Sequence, residues 1–121
     1  MGGNDTAMPA ELQEGWRAAG LWADESLGQA MARAASERPH AELRFHGQEG
    51  ERVTTLGQLH AEGLKLAGRL HRLGLRPGDV LAMQVPSGIE NAIITQAAAA
   101  LGCTLLQIVH IYGPHELAHI L

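Results

Sequence analysis

Residues His115 to His119 read HELAH, an H-E-x-x-H pattern with a defined chemistry. On a helix, two histidines four positions apart share one face and can hold zinc, while the glutamate between them acts as general base toward a metal-bound water. Such a hydrolase needs a third protein ligand, and His110 is the candidate nearest in sequence. Composition alone produces the pattern in about 3% of shuffled chains of this kind, because the chain carries seven histidines among 121 residues. Pro114 and Glu116 also have an ordinary explanation. Proline is favoured at the first helical position, and an acid in the first turn complements the helix dipole. The pattern is therefore read first as a helix start, with a zinc hydrolase as the remote alternative.

The other reactive side chains are more dispersed. His40, His46, His60 and His71 stand among polar neighbours and are expected at the surface. Lys65, Arg69, Arg72 and Arg76 form a basic stripe at helical spacing, read as a solvated face. Cys103 is the single cysteine, which excludes an internal disulfide and a cysteine-based zinc cluster. At the start of an apolar segment it reads as a small buried hydrophobe. No residue is assigned a catalytic, cofactor-binding or metal-binding role on these grounds.

Nine basic against thirteen acidic residues give a formal charge of −4, which offers nothing to a polyanion such as nucleic acid. No apolar run is long enough to span a membrane, and the polar N-terminus lacks a signal core. Residues 1–10 read as a flexible leader, although Gly2 and Thr6 literally match the myristoylation spacing. A reducing, cytoplasmic setting is expected.

The elements that must position these residues follow from periodicity and punctuation. A helical stretch ends near Gly20, and Trp16 and Trp22 are expected to cover apolar surface. Ser26 and Gln29 have capping-box spacing for a helix stopped by Pro39, with Leu27, Met31, Ala34 and Arg38 at helical intervals. Residues 41–54 alternate around a glycine-containing turn and read as a hairpin, weakly hydrophobic and suited to a sheet edge. Thr55 and Gln58 open an amphipathic helix whose Leu56, Leu59, Gly63, Leu66, Leu70 and Leu73 share a face, and Gly74 caps it. Pro77 and Gly78 suit a type II turn. Residues 80–85, apolar except for Gln84, read as a strand covered on both faces. Ser87 and Glu90 are a third capping-box pair, opening a helix with Ile89, Ile93, Ala97 and Ala100 inward and Gly102 as its cap. Residues 103–109 are a second buried strand, and strand, helix and strand make a parallel βαβ unit of right-handed type.

This order of elements resembles the AMP-forming acyl-CoA synthetases of the adenylate-forming superfamily. The resemblance rests on Thr55, Leu59, Ala67, Leu73, Gly74, Pro77, Gly78, Asp79, Val80, Pro86, Ser87, Glu90, Ala98, Gly102, Glu116, Leu117, Ile120 and Leu121, and on GLWADESL upstream. It covers residues 16–121. Gln107 departs from it, where the family usually has proline, and residues 108–117 are similar to members that act on medium-length or cyclic aliphatic carboxylates, such as cyclohexanecarboxylate. The resemblance implies a parent enzyme that uses ATP, magnesium and coenzyme A to convert a small carboxylic acid to its acyl-CoA through an acyl-adenylate. It also implies that the phosphate-binding loop lies downstream. The expected fold is α/β, with N-terminal helices and a β-hairpin followed by a parallel βαβ layer. Residues 11–121 are then an incomplete N-terminal segment of the large domain, itself structural and without ligase activity or bound cofactor. The expected partner is the rest of the parent enzyme, with self-association of the fragment possible in its absence. The alternative from another class is a stand-alone α/β interaction module.

Overall fold

The computed structural model describes residues 8–121. Residues 1–7 of the predicted leader, with Gly2 and Thr6, lie outside the described residues, and the first helix already begins at Ala10. Nine elements follow in order: α1 (Ala10–Ala18), α2 (Leu27–Glu37), β1 (Glu42–Gly47), β2 (Gly50–Thr55), α3 (Leu56–Arg72), β3 (Val80–Met83), α4 (Ile89–Leu101), β4 (Thr104–Gln107) and α5 (Pro114–Ile120). The α/β architecture expected from the sequence is present.

Local chemistry sets most boundaries. At α2, the Ser26 hydroxyl accepts from the Gln29 N–H while the Gln29 side chain accepts from the Ser26 N–H, and Thr55 and Gln58 repeat this at α3. Each pair satisfies two backbone donors that the first helical turn leaves open. Gly74, with φ 110°, follows the last turn of α3, and the Leu75 N–H donates back to the Leu70 carbonyl. The turn at Pro77 and Gly78 has φ 89° at Gly78 and closes with Asp79 N–H donating to the Arg76 carbonyl. Gly102, with φ 72°, ends α4 in the left-handed conformation.

β1 and β2 pair antiparallel from Glu42 opposite Thr55 to Gly47 opposite Gly50. β3 and β4 pair parallel, Val80 with Thr104 through Met83 with Gln107, with α4 between them in sequence. The βαβ unit is therefore as read from the sequence. The hairpin, expected at an edge, instead forms a two-stranded sheet of its own. Its polar composition fits that separation, since no strand of the hairpin presents two apolar faces.

The core lies where α2 and α3 pack on α4 and where β4, paired with β3, meets it: Ala35, Leu59, Ala67, Met83, Ala97, Ala98 and Ile108 are buried. Small residues let these helices approach closely. A Cβ on Gly63 would meet the Gln96 Cβ at 2.5 Å, and one on Gly28 would meet the Ala99 carbonyl oxygen at 2.5 Å. Three sequence expectations are corrected here. Leu73 is 84% exposed because α3 has already ended at Arg72. Ala100 is exposed and Gln96 is buried in its place, since α4 turns its 96–98 face toward α3. β3 is covered on one face only among the described residues, with Met83 buried while Val80 and Ala82 are exposed.

Candidate functional site

In open α/β sheets, ligands bind beyond the carboxyl ends of the strands, where the connecting loops diverge. Here β3 ends at Met83 and β4 at Gln107, and two adjoining hollows open there. The smaller, about 260 Å³, is lined by Met83, Val85, Ser87, Asn91, Gln107, Ile108, Val109 and His110. The larger, about 750 Å³, lies between the turn of the β1–β2 hairpin and the start of α4, and Ser87 and His110 line both. Phe45, His46 and Arg52 form its hairpin wall, and Pro86 to Glu90 form the other.

Gln84 fixes the mouth of this region. Its Nε2 donates to the carbonyl of Val109 at 3.2 Å and to that of Tyr112 at 2.8 Å, binding the end of β3 to the loop that carries His110. This explains the one polar residue in an otherwise apolar strand segment. The two hydrogen bonds lie at the surface, so their effect is to hold the loop in place, each at a net gain of about 1 kcal/mol or less. The hairpin is tied to α4 by an ion pair between Arg52 and Glu90. The Arg52 hydrogen bond holds the Glu90 carboxyl below the usual carboxylate range. Glu90 is thereby unavailable for the predicted capping box: α4 starts at Ile89 with Gly88 as N-cap, and the Ser87 side chain makes no cap hydrogen bond.

The lining of the hollows carries one guanidinium and it is already paired. Ser87, Asn91 and Gln107 supply uncharged hydrogen-bonding groups, His46 and His110 add imidazoles, and Arg52 is engaged by Glu90 while Glu49 also lines the larger hollow. A polyphosphate requires converging cations or a loop of backbone donors. These residues do not fit a nucleotide triphosphate, and no step of nucleotide chemistry is assigned to them.

The HELAH residues lie elsewhere and are occupied differently. His115, Glu116 and His119 sit on α5, all exposed, and the Glu116 Oε2 accepts from the Gly113 N–H at 2.9 Å. Glu116 is thus the helix-start residue read from the sequence. Among the described residues, no three His, Cys, Asp or Glu side chains gather closely enough to share a metal ion.

Of the dispersed histidines, His40, His46 and His71 are exposed, but His60 is half-buried and its Nδ1 is 3.0 Å from the Gln96 Oε1. It departs from the expected surface position because Gln96, buried between α3 and α4, needs a partner. The basic stripe is at the surface, with Lys65 paired to Glu62, but Arg76 folds back to donate to the carbonyls of His71 and Leu75. Cys103 is half-buried, with its Sγ 3.4 Å from the Arg76 carbonyl oxygen. Trp16 and Trp22 face each other with ring centroids 6.1 Å apart rather than covering the core.

Comparison with known proteins completes the picture. Residues 31–121, three quarters of the chain, match the AMP-binding enzyme family. The chain belongs to that family. It is 30% identical over 110 residues to 2-hydroxy-7-methoxy-5-methyl-1-naphthoate–CoA ligase of Streptomyces carzinostaticus, covering 91% of this chain and 19% of that protein. It is 27% identical to salicyl-AMP ligase / salicyl-S-ArCP synthetase of Mycobacterium tuberculosis, covering 97% and 21%. Among solved structures, the apo structure of Mycobacterium smegmatis MbtA superposes with a TM-score of 0.77 at 26% identity, over 95% of this chain and 21% of that one. The chain thus spans about a fifth of the length of these relatives, within their AMP-binding portion.

Proposed function

We propose that residues 11–121 form the opening layer of the large domain of a carboxylate-activating ligase. The parent enzyme would join a carboxylic acid to AMP at the expense of ATP and magnesium, releasing pyrophosphate, and then pass the acyl group to coenzyme A. The observation that carries this reading is the continuous family match over residues 31–121. Within the parent, the contribution of this segment is structural. The βαβ layer supports the strand-end hollows, while the chemistry is left to residues outside it.

The carboxylate in this reading is ring-bearing. The relatives that cover more than nine tenths of the chain are named for naphthoate and salicylate substrates, whereas the acetyl-coenzyme A synthetases match 56% of it or less. Cyclohexanecarboxylate, suggested by residues 108–117, is a further ring acid to include. The test is ATP–pyrophosphate exchange with salicylate, cyclohexanecarboxylate or acetate, measured on the 121-residue chain and on the protein read through beyond Leu121. The chain alone should give no exchange, and the longer protein should exchange fastest with a ring acid. Exchange by the chain alone would overturn its structural role. A longer protein inert with all three acids would overturn the ligase assignment, and one that prefers acetate would overturn the ring preference.

A further inference from the structure

The two walls of the larger hollow are held very differently. The wall from Pro86 to Glu90, with His110 beside it, is fixed: α4 packs on α2 and α3, and Gln84 ties the loop that carries His110 to the end of β3. The hairpin wall is held at one end. β1 and β2 form a sheet of their own, and among the described elements only α3, which continues directly from β2, packs on them to any extent. The base of the hairpin is firm. The Leu56 N–H donates to the Ala41 carbonyl at 2.8 Å and the Gly57 N–H to the Pro39 carbonyl at 3.0 Å, so close that a Cβ on Gly57 would stand 2.9 Å from the Pro39 oxygen. The turn from Gly47 to Gly50 lies farther out along the ladder, roughly 17 Å from the base at about 3.4 Å per residue.

The two arginines of the hairpin have separate tasks. Arg44 pairs with Glu51 across the strands at 2.7 Å and with Glu42 along its own strand, which binds the hairpin into one unit. Arg52 stands opposite Phe45, so both project from one face, and that face lines the hollow. Across the hollow Arg52 meets Glu90. Among the described residues, this is the one side-chain hydrogen bond or ion pair that joins the hairpin to an element other than α3. We propose that the hairpin is a flap over the larger hollow, hinged where Pro39 and Ala41 bond to the start of α3 and latched by the ion pair between Arg52 and Glu90. Opening carries Phe45 and His46 away from Pro86 and Ile89 without unpairing β1 from β2. It is access to the hollow, about 750 Å³, that the latch controls. The side chains of Arg52 and Glu90 are 60% and 61% exposed, and an exposed pair of this kind shifts a closed-to-open ratio by about two- to fivefold and is screened by salt. The flap is therefore in exchange between its two positions. This inference rests on the packing of the hairpin and is independent of the ligase reading.

A nitroxide attached at Gln48→Cys, in the Cys103→Ser background of the 121-residue chain, reports closure through paramagnetic broadening of the amides of residues 87–91. Arg52→Met and Glu90→Gln should each lower the closed-to-open ratio about two- to fivefold and so weaken that broadening. Sodium chloride at about 1 M should weaken it in the unsubstituted chain to the level of the two variants, and leave the variants as they are. Amide hydrogen exchange across residues 42–55 should be the same in all three proteins, because the flap moves as a unit. Broadening that neither substitution changes, or that salt does not change in the unsubstituted chain, would overturn the latch. Weaker broadening accompanied by faster exchange across residues 42–55 would overturn the flap, since the hairpin would then be unravelling rather than swinging.

Discussion

Gly63 and Gly68 lie on the same helix, α3, yet substitution of each should move stability in opposite directions. A Cβ at Gly63 would fall 2.5 Å from the Gln96 Cβ, closer than two carbons can stand, so α3 and α4 would have to separate. Overpacking of this kind costs about 1–3 kcal/mol. At Gly68 a Cβ meets only the end of the Arg72 side chain at 3.8 Å, and alanine there gains about 0.5–1 kcal/mol of helix propensity. Urea unfolding should place the midpoint of Gly63→Ala below that of the parent chain and the midpoint of Gly68→Ala above it. A Gly63→Ala midpoint equal to the parent would show that the helices are not in close contact. At this scale the sequence was readable where a residue acts on its own backbone. Ser26, Thr55, Gly74, Gly102 and Glu116 all do what their positions indicate. Residues whose partners are distant in sequence were not readable: Gln96 with His60, Gln84 with Val109 and Tyr112, and Glu90 with Arg52. The candidate site is made almost entirely of the second kind. For Ser87, after β3, and Gln107, the last residue of β4, the signal in the sequence is their place at the carboxyl ends of the strands.

At the scale of elements, α2 is held at its entry by charge as well as by its cap. The Arg33 Nε lies 2.9 Å from the Glu25 Oε1, just before the helix, and its guanidinium also reaches Glu37 one turn farther on, at 3.6 Å. The hydrogen bond from Arg33 lowers the Glu25 pKa below its ordinary value. A carboxylate whose pKa is depressed by folding contributes stability that is present above its unfolded pKa and lost as pH falls through the folded one. The tie should therefore be intact at neutral pH and vanish on acidification through the carboxylate range. Because both side chains are at the surface, salt should weaken it. Carboxyl-carbon NMR titration should place the Glu25 midpoint below the ordinary glutamate value, and Arg33→Met should return it there. An unchanged midpoint in Arg33→Met would show that Arg33 is not the cause. The elements themselves were the most legible part of the chain, because cap spacing and apolar period are local. The extent of β3 and β4 was not: both are four residues long, shorter than their apolar runs, because pairing stops where the loops diverge toward the hollows.

For the molecule as a whole, the distribution of exposed apolar surface separates a ligase segment from a self-contained module. Parallel strands are ordinarily covered on both faces. Here Val80 is 59% exposed at the start of β3, Ile111 is 76% exposed in the loop after β4, and Leu121, just after α5, is 79% exposed. A parallel strand with one apolar face open is short of the layer that ordinarily covers it. The parallel pairing of β3 with β4 was legible because only a crossover helix can join two such runs. The face that lacks a cover could not be read, since a two-faced apolar strand looks the same in sequence whether or not its second layer is nearby. In solution the 121-residue chain should bind a hydrophobic dye in its native state and elute at an apparent mass that rises with concentration. Replacing Val80 and Ile111 together with threonine should reduce both effects without shifting the unfolding midpoint by more than about 0.5 kcal/mol, the usual range for surface positions. A stand-alone module would instead remain monomeric or a fixed dimer at every concentration, with no native dye signal. That result would count against the ligase-segment reading even though the chain belongs to the AMP-binding family. Family membership describes how the layer is built, and the uncovered strands are the independent physical sign that it is built to be covered.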